Sequence, residues 1–95
     1  ARNRWDLDLK GSSLYNLLFT AGANFADELC CGASGVAGPD GRMIAQSPGQ
    51  EEELVFADLD MEEADRQREN IPYFADLDEG VLQQLADAAR DYRTE

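Results

Sequence analysis

GASGVAGPDGRMIAQSPGQEEELVFADLD, residues 32–60, is the stretch of sequence that decides the fold. Pro39-Asp40-Gly41 separates two apolar runs, and a third run follows Ser47-Pro48-Gly49. Proline sets φ at the first central position of a turn, aspartate bonds its own backbone, and glycine accepts a positive φ. The pattern therefore predicts a β-meander with short strands over 30–37, 42–46 and 54–57.

The segments before this stretch also read as extended chain. Trp5, Leu7 and Leu9 alternate with charged residues, which predicts an arm or strand over 1–13. Residues 14–21 form an almost continuous apolar run, typical of a strand buried on both faces. We therefore expect strands to occupy 14–57, interrupted by a polar loop over 22–28 and an acidic turn over 50–53.

The pattern changes to that of helices after residue 59. Asp60-Met61-Glu62-Glu63 has the form of a capping box, and Pro72 limits the helix, which predicts a helix over 60–70. A second helix is predicted over 78–93, with Asp78 as its cap and an apolar stripe that must bury against this chain or another subunit. The stripe consists of Val81, Leu82, Leu85, Ala89 and Tyr92.

The sequence FADLD occurs twice, at 56–60 and at 74–78, each time ahead of a predicted helix. We interpret both copies as helix entries with an acidic cap and an apolar staple. A calcium loop is the alternative, because Asp58, Asp60 and Glu62 alternate as ligands do. The glycine and the bidentate glutamate of such a loop are missing, so no metal ligand is assigned.

The composition describes a small acidic chain. Its 95 residues include 20 acidic and 8 basic side chains and no histidine, for a net charge of −12. This charge repels nucleic acid and anionic lipid. The sequence has neither a run of about 18 apolar residues nor a signal peptide at its start, so we expect a soluble, cytoplasmic protein. A chain of this length buries only about 60–65% of its unfolded surface, which leaves room for a partner or a missing half.

Cys30 and Cys31 are adjacent, and the sequence around them offers no group that would activate a catalytic thiol. Neighbours on a strand point to opposite faces, so we interpret them as reduced, partly buried thiols. A catalytic thiol and intermolecular disulfides are the alternatives. A nucleophilic thiol needs a base or a positive charge beside it, and Lys10 is the one lysine of the chain. We assign no catalytic, cofactor-binding or metal-binding residue.

The chain from Leu17 to Pro72 resembles the C-terminal part of the carbon–nitrogen hydrolases, the nitrilase superfamily. The resemblance rests on the order and spacing of several elements rather than on any one of them. These elements are Phe19-Thr20-Ala21-Gly22-Ala23-Asn24, Gly32-Ala33-Ser34, Gly38-Pro39-Asp40-Gly41-Arg42-Met43-Ile44-Ala45, Val55-Phe56-Ala57-Asp58-Leu59-Asp60, Arg66, Arg68 and Pro72.

The resemblance implies a fold for this chain and an activity whose catalytic residues lie outside it. The implied fold is α/β, in the α+β sense, and the chain would be the C-terminal part of a four-layer αββα sandwich. Residues 1–95 would form a single partial domain, with a β-meander of short strands followed by two helices. The activity is amidase or nitrilase chemistry through a glutamate, a lysine and a cysteine that belong to the family's first two-thirds, so neither Lys10 nor the cysteines receive that role. The partners implied are an upstream catalytic half, in the same or another chain, and further copies in a homo-oligomer.

Two parts of the chain depart from the family pattern. Family members have an arginine-rich helix ending in a Glu-Asn pair before the apolar strand, whereas this chain keeps only Asn16. The family's Arg-Arg-Pro-like element near the C-terminus is replaced by residues 73–78. The alternative function is a small acidic interaction domain that binds a basic or apolar partner through its C-terminal helix.

Overall fold

The computed structural model describes residues 2–27, 29–49 and 51–94. Glu28 of the predicted polar loop and Gln50 of the predicted acidic turn lie outside the described residues. The elements follow in the order α1 (Arg2–Asn16), β1 (Thr20–Gly22), β2 (Gly35–Ala37), β3 (Met43–Gln46), α2 (Met61–Asn70) and α3 (Glu79–Thr94). The mixture of helices with one small antiparallel sheet is an α+β architecture.

Helix α1 occupies the segment for which an arm or strand over 1–13 was predicted, so that prediction was wrong. Trp5, Leu9, Ser13 and Leu17 recur every four residues and form the row nearest the sheet, with Leu9 only 6% exposed and Ser13 and Leu17 fully buried. Leu7, which a strand would have placed beside them, is 59% exposed. Trp5 and Leu9 fit both the two-residue repeat of a strand and the roughly four-residue repeat of a helix. Packing of the four-residue row against the sheet favours the helix.

The strand predicted over 14–21 was also wrong, because α1 continues through Asn16 and ends in a tight turn. Leu17 adopts a left-handed conformation with φ of 53°, and the Leu18 amide donates to the Ser13 carbonyl at 3.2 Å. A left-handed residue followed by this bond is a Schellman C-cap. Only Thr20–Gly22 remains available as β1.

The sheet is a meander in the order β1-β2-β3, with both pairs antiparallel. Ala21 pairs with Val36, and Val36 pairs with Ala45, so these three residues share one face. The opposite face lies under α1, where the Ser13 hydroxyl donates to the Thr20 hydroxyl at 2.8 Å. Alternation along each strand therefore directs Ala21, Val36 and Ala45 away from α1.

The Pro39-Asp40-Gly41 turn forms as predicted. The Gly41 amide donates to the Gly38 carbonyl at 2.9 Å, and Gly41 has a φ of 79°. The Asp40 carboxylate accepts from the Arg42 amide at 3.0 Å. This Asx turn is the local bond that aspartate supplies at such positions, and it connects β2 to β3.

Residues 51–59 do not form the predicted strand over 54–57. They have no regular secondary structure, and they make no backbone-to-backbone hydrogen bond with any other residue that the structure describes. Leu54 and Phe56 are 81% and 80% exposed, while the alternate residues Val55 and Ala57 are half-buried. The alternation is that of a strand, but the segment has no sheet partner, so the meander uses β1 in its place.

Helices α2 and α3 agree with the two predicted helices and their caps. The Asp60 carboxylate accepts from the Glu62 amide at 3.1 Å, and the Asp78 carboxylate accepts from the Gly80 amide at 2.8 Å. The reciprocal half of the capping box is not formed, because the Glu63 carboxylate bonds Arg66 and Gln67 instead. Helix α2 ends at Asn70, before Pro72.

The core of the described chain is small. Its buried apolar residues are Leu9, Leu17, Ala33, Ala37, Pro39 and Ala64. The radius of gyration is 16.9 Å, and the extents are 47 × 39 × 16 Å. A compact domain of this length has a radius of about 12–13 Å, so the chain forms a flat layer rather than a closed globule. Among the described residues no helix combines the length and apolar character needed to cross a membrane.

Candidate functional site

The densest polar cluster joins the end of β1 to the start of β2, and we call it the Asn24–Ser34 junction. The Asn24 amide N–H donates to the Ser34 hydroxyl at 2.8 Å. The Asn24 side-chain Nδ2 donates to the carbonyls of Gly32, at 3.0 Å, and of Cys30. One asparagine therefore closes the loop that connects the two strands.

The junction contains three consecutive residues with left-handed backbone. Cys31, Gly32 and Ala33 have φ values of 60°, 61° and 58°. This conformation costs a residue with a Cβ about 1–2 kcal/mol. It also ends the strand predicted over 30–37, which is reduced to β2. The chain is extended again only after Ser34.

Neighbouring elements hold this unfavourable backbone in place. The Trp5 indole N–H donates to the Ala33 carbonyl at 2.7 Å, and the Gln46 side chain donates to the same oxygen at 3.3 Å. The Gly32 amide donates to the Phe25 carbonyl, and the Ala33 amide donates to the Gly49 carbonyl. A backbone held from several directions keeps a conformation that it would not adopt alone.

Both cysteines belong to this junction and are free, half-buried thiols, as predicted. The Cys30 amide donates to the Asp27 carboxylate at 2.7 Å. Burial raises the pKa of the Cys30 thiol, and the Asp27 carboxylate adds to the effect, so Cys30 is a protonated thiol at neutral pH. The Cys31 sulfur accepts from Asn24 Nδ2 at 3.6 Å.

Lys10 is not part of the junction. It lies exposed on α1. The hydrogen bond from Gln46 is the main cause of the lowered pKa of Asp6, and the charge of Lys10 makes a small separate contribution. No lysine–cysteine arrangement is present in the part of the chain that the structure describes. An acyl-transfer site needs its nucleophile and base within about 3 Å, and the hydrogen bonds of the two cysteines run to Asn24, Asp27 and Gly32 rather than to Lys10.

A cavity of about 200 Å³ lies beside the junction. Its lining includes Ser34, Ser47 and Glu53, and the Ser47 hydroxyl donates to the Glu53 carboxylate. Neither cysteine lines it. The cavity presents hydroxyl groups, which donate and accept hydrogen bonds, and carboxylates, which accept them.

A second polar cluster stands at the start of α2. Arg66 Nη2 lies 2.8 Å from an Asp60 oxygen and 2.6 Å from a Glu63 oxygen. The hydrogen bond from Arg66 lowers the pKa of Asp60, and bonds from Gln67 and Arg66 lower the pKa of Glu63. The same contacts raise the pKa of Arg66. The cluster fixes the entry of α2.

The calcium loop considered as an alternative for Asp58, Asp60 and Glu62 would lie in this second cluster. Asp60, one of its three proposed ligands, is engaged by Arg66 and by the helix N-terminus. Over residues 2–27, 29–49 and 51–94 no group of three or more histidine, cysteine or acidic side chains is arranged to hold a metal ion.

Sequence reasoning did not identify the Asn24–Ser34 junction as a cluster. Asn24 and Ser34 entered only as members of two separate elements of the family resemblance. Trp5 was assigned to a strand, although indole N–H groups usually find an acceptor when buried, and that preference was a usable indication. The chain matches no protein-family model, and the search of curated proteins found no significant match.

Proposed function

We propose that this chain is the C-terminal structural segment of a carbon–nitrogen hydrolase of the amidase or nitrilase type, and that its catalytic residues lie in an upstream half. The observation that carries the proposal is the sheet with one covered face. Helix α1 packs on one side, where a Cβ at Gly22 would lie 2.7 Å from Leu9 and 2.9 Å from Trp5. The other side carries Ala21, Val36 and Ala45.

An αββα sandwich has this arrangement in each of its halves. Its outer sheet faces pack against helices and its inner faces pack against each other. In this chain Ala21 is exposed, whereas Val36 and Ala45 are half-buried. Residues 53–55 line a cavity together with Ala21 and Val36, so this side is only partly covered and leaves room for a second sheet. The flat overall shape and the small core fit one half of such a sandwich.

The order of elements gives further support. The family pattern places a helix ending in a Glu-Asn pair before the apolar strand, and α1 ends at Asn16 directly before β1. Asn24 and Ser34, taken from two elements of the resemblance, bond each other. Two departures from the pattern remain: Tyr15 precedes Asn16 where the family has a glutamate, and residues 73–78 replace the Arg-Arg-Pro-like element.

The proposed role is scaffolding without catalysis by this chain. The upstream half would supply the glutamate, lysine and cysteine, and this segment would support it from the second sheet. A cytoplasmic location and a homo-oligomer belong to the same proposal. The raised pKa of the Cys30 thiol and the position of Lys10 on α1 argue against amide hydrolysis through these residues.

The coding sequence upstream of Ala1 provides the first test. We expect the open reading frame to continue into glutamate, lysine and cysteine motifs. A start codon and a ribosome-binding site immediately before Ala1 would contradict the proposal.

Amide hydrolysis by the isolated chain provides the second test. We expect no hydrolysis above background from the purified chain. Activity that disappears in the Lys10→Ala, Cys30→Ala and Cys31→Ala series would overturn the scaffolding role, because it would place catalysis on these residues. Activity that persists through the series would come from chemistry of another kind, and it would likewise contradict an inactive scaffold.

A second candidate function is an acidic interaction domain that uses α3. Val81, Leu82 and Leu85 are 59%, 46% and 65% exposed, and Tyr92 is 80% exposed. The apolar stripe of this helix is therefore available to a partner, and the net charge of −12 would favour a cationic one. A start codon immediately before Ala1 would favour this candidate over the hydrolase segment.

A further inference from the structure

We propose that Cys30 and Cys31 form a vicinal dithiol that binds a trivalent arsenical, or a similarly thiophilic centre, through both sulfur atoms. This inference is independent of the hydrolase proposal, because it uses only the residues of the Asn24–Ser34 junction. The two thiols are adjacent, free and half-buried, so a small reagent can reach both.

The backbone at the junction removes the objection that applied to a strand. On a strand, consecutive side chains point to opposite faces and the two thiols would be separated. In the structure Cys30 lies in a turn and Cys31 has a φ of 60°, so this alternation does not apply to the pair. Besides burial and Asp27, the neighbouring Cys31 makes a smaller contribution to raising the pKa of the Cys30 thiol.

The surrounding contacts fix the backbone of the pair. The Asp27 carboxylate accepts from the Cys30 amide at 2.7 Å, and the Asp27 carbonyl accepts from the Cys31 amide at 3.1 Å. The Asn24 side chain bonds the Cys30 carbonyl and approaches the Cys31 sulfur at 3.6 Å. Two thiols held on one fixed turn bind a single centre with less loss of entropy than two independent thiols.

The binding step balances without an oxidant. With phenylarsine oxide, two As–S bonds form and the arsenic–oxygen bond breaks. The oxygen leaves as water with the two thiol protons, and arsenic stays trivalent. A protonated Cys30 thiol is compatible with this step because the departing oxygen accepts its proton. Soft centres prefer sulfur ligands, which sets the class of ligand.

The test is titration of the reduced full chain with phenylarsine oxide in the presence of excess glutathione. We expect one arsenical per chain by intact mass and the loss of both titratable thiols. The Cys30→Ser and Cys31→Ser variants should bind at least about 100-fold more weakly, the low end of the gain from linking two sites. Two arsenicals per chain, or equal binding by the single-cysteine variants, would overturn the proposal.

Trp5 fluorescence distinguishes binding at the folded junction from binding that requires only two cysteines next to each other in the sequence. It is the one tryptophan of the chain, and it donates to Ala33, two residues after Cys31. We expect its emission to change in step with one equivalent of arsenical in the native chain and to stay constant in urea. Stoichiometric binding without any change in native Trp5 emission would contradict a site at the folded junction. Circular dichroism of the serine variants confirms that they fold.

Discussion

Replacement of Gly32 by alanine tests whether the Asn24–Ser34 junction organises the fold. Gly32 has a φ of 61°, and a Cβ built on it would lie 2.1 Å from the Gly49 carbonyl oxygen. Carbon and oxygen atoms normally approach to about 3.3 Å, so one backbone segment would have to move by roughly 1 Å. The atom in the way belongs to the main chain, so a rotamer change cannot relieve the contact.

The expected loss of stability combines three costs. The left-handed conformation costs alanine about 1–2 kcal/mol. The steric contact costs about 1–3 kcal/mol. The Ala33 amide bond to the Gly49 carbonyl is displaced, which costs about 0.5–1.5 kcal/mol. Reduced freedom of the unfolded chain offsets about 0.4–1 kcal/mol, which leaves a net loss of roughly 2–6 kcal/mol.

Urea denaturation followed by Trp5 fluorescence measures this loss. A small domain has a free energy of unfolding near the low end of about 5–15 kcal/mol, so Gly32→Ala should unfold at much lower urea or fail to fold. Gly49→Ala is the matched control, because its Cβ would meet no atom within 4 Å. Its stability should change by no more than about 0.5 kcal/mol. Equal midpoints for the two variants would refute the reasoning.

Three further predictions concern other parts of the chain. Gly22→Ala should lower the free energy of unfolding by about 1–3 kcal/mol, because its Cβ would lie 2.7 Å from a side chain of α1. Gly11→Ala, whose Cβ would meet no atom within 4 Å, should raise the free energy of unfolding by about 0.5–1 kcal/mol. The urea midpoints of the two variants measure the difference. Arg66→Gln should raise the Asp60 pKa towards its ordinary value of 3.8, as measured by NMR titration. Since folding lowers this pKa, the stabilisation from the ionised Asp60 exists above about pH 4 and is lost as the pH falls. An unchanged Asp60 titration midpoint in the variant would contradict the role of Arg66. Asp78→Ala should cost α3 about 1 kcal/mol and reduce its helicity by circular dichroism, while Asp78→Asn should retain the cap; equal helicity in both variants would argue against capping.

Features that depend on local chemistry could be predicted from the sequence. The Pro39-Asp40-Gly41 turn, the caps at Asp60 and Asp78, and the end of α2 before Pro72 each require only a few neighbouring residues. Their geometry follows from turn and cap preferences that act within one turn of chain. The free state and partial burial of the two cysteines were likewise predicted.

Features that depend on distant contacts were predicted wrongly or not at all. Residues 2–16 contain Gly11 and a two-residue alternation, and only burial of Leu9 and Ser13 against the sheet favours the helix. The strand over 54–57 had the right alternation, yet a strand also needs a pairing edge, which sequence does not reveal. The junction required Trp5, Asn24 and Gly49 to meet across long separations.

The unpaired segment at 51–59 has a consequence for the behaviour of the protein at high concentration. Its exposed Leu54 and Phe56 and its free backbone groups form the kind of edge that templates stacking of one molecule on another. Glu51, Glu52 and Glu53 precede the apolar residues, and Asp58 follows them. Such flanking charges act as gatekeepers, because stacked copies would bring carboxylates together. Near the isoelectric point of about 4.1 the net charge of the chain falls to zero and molecules no longer repel one another as a whole, so the segment becomes the place where precipitation begins.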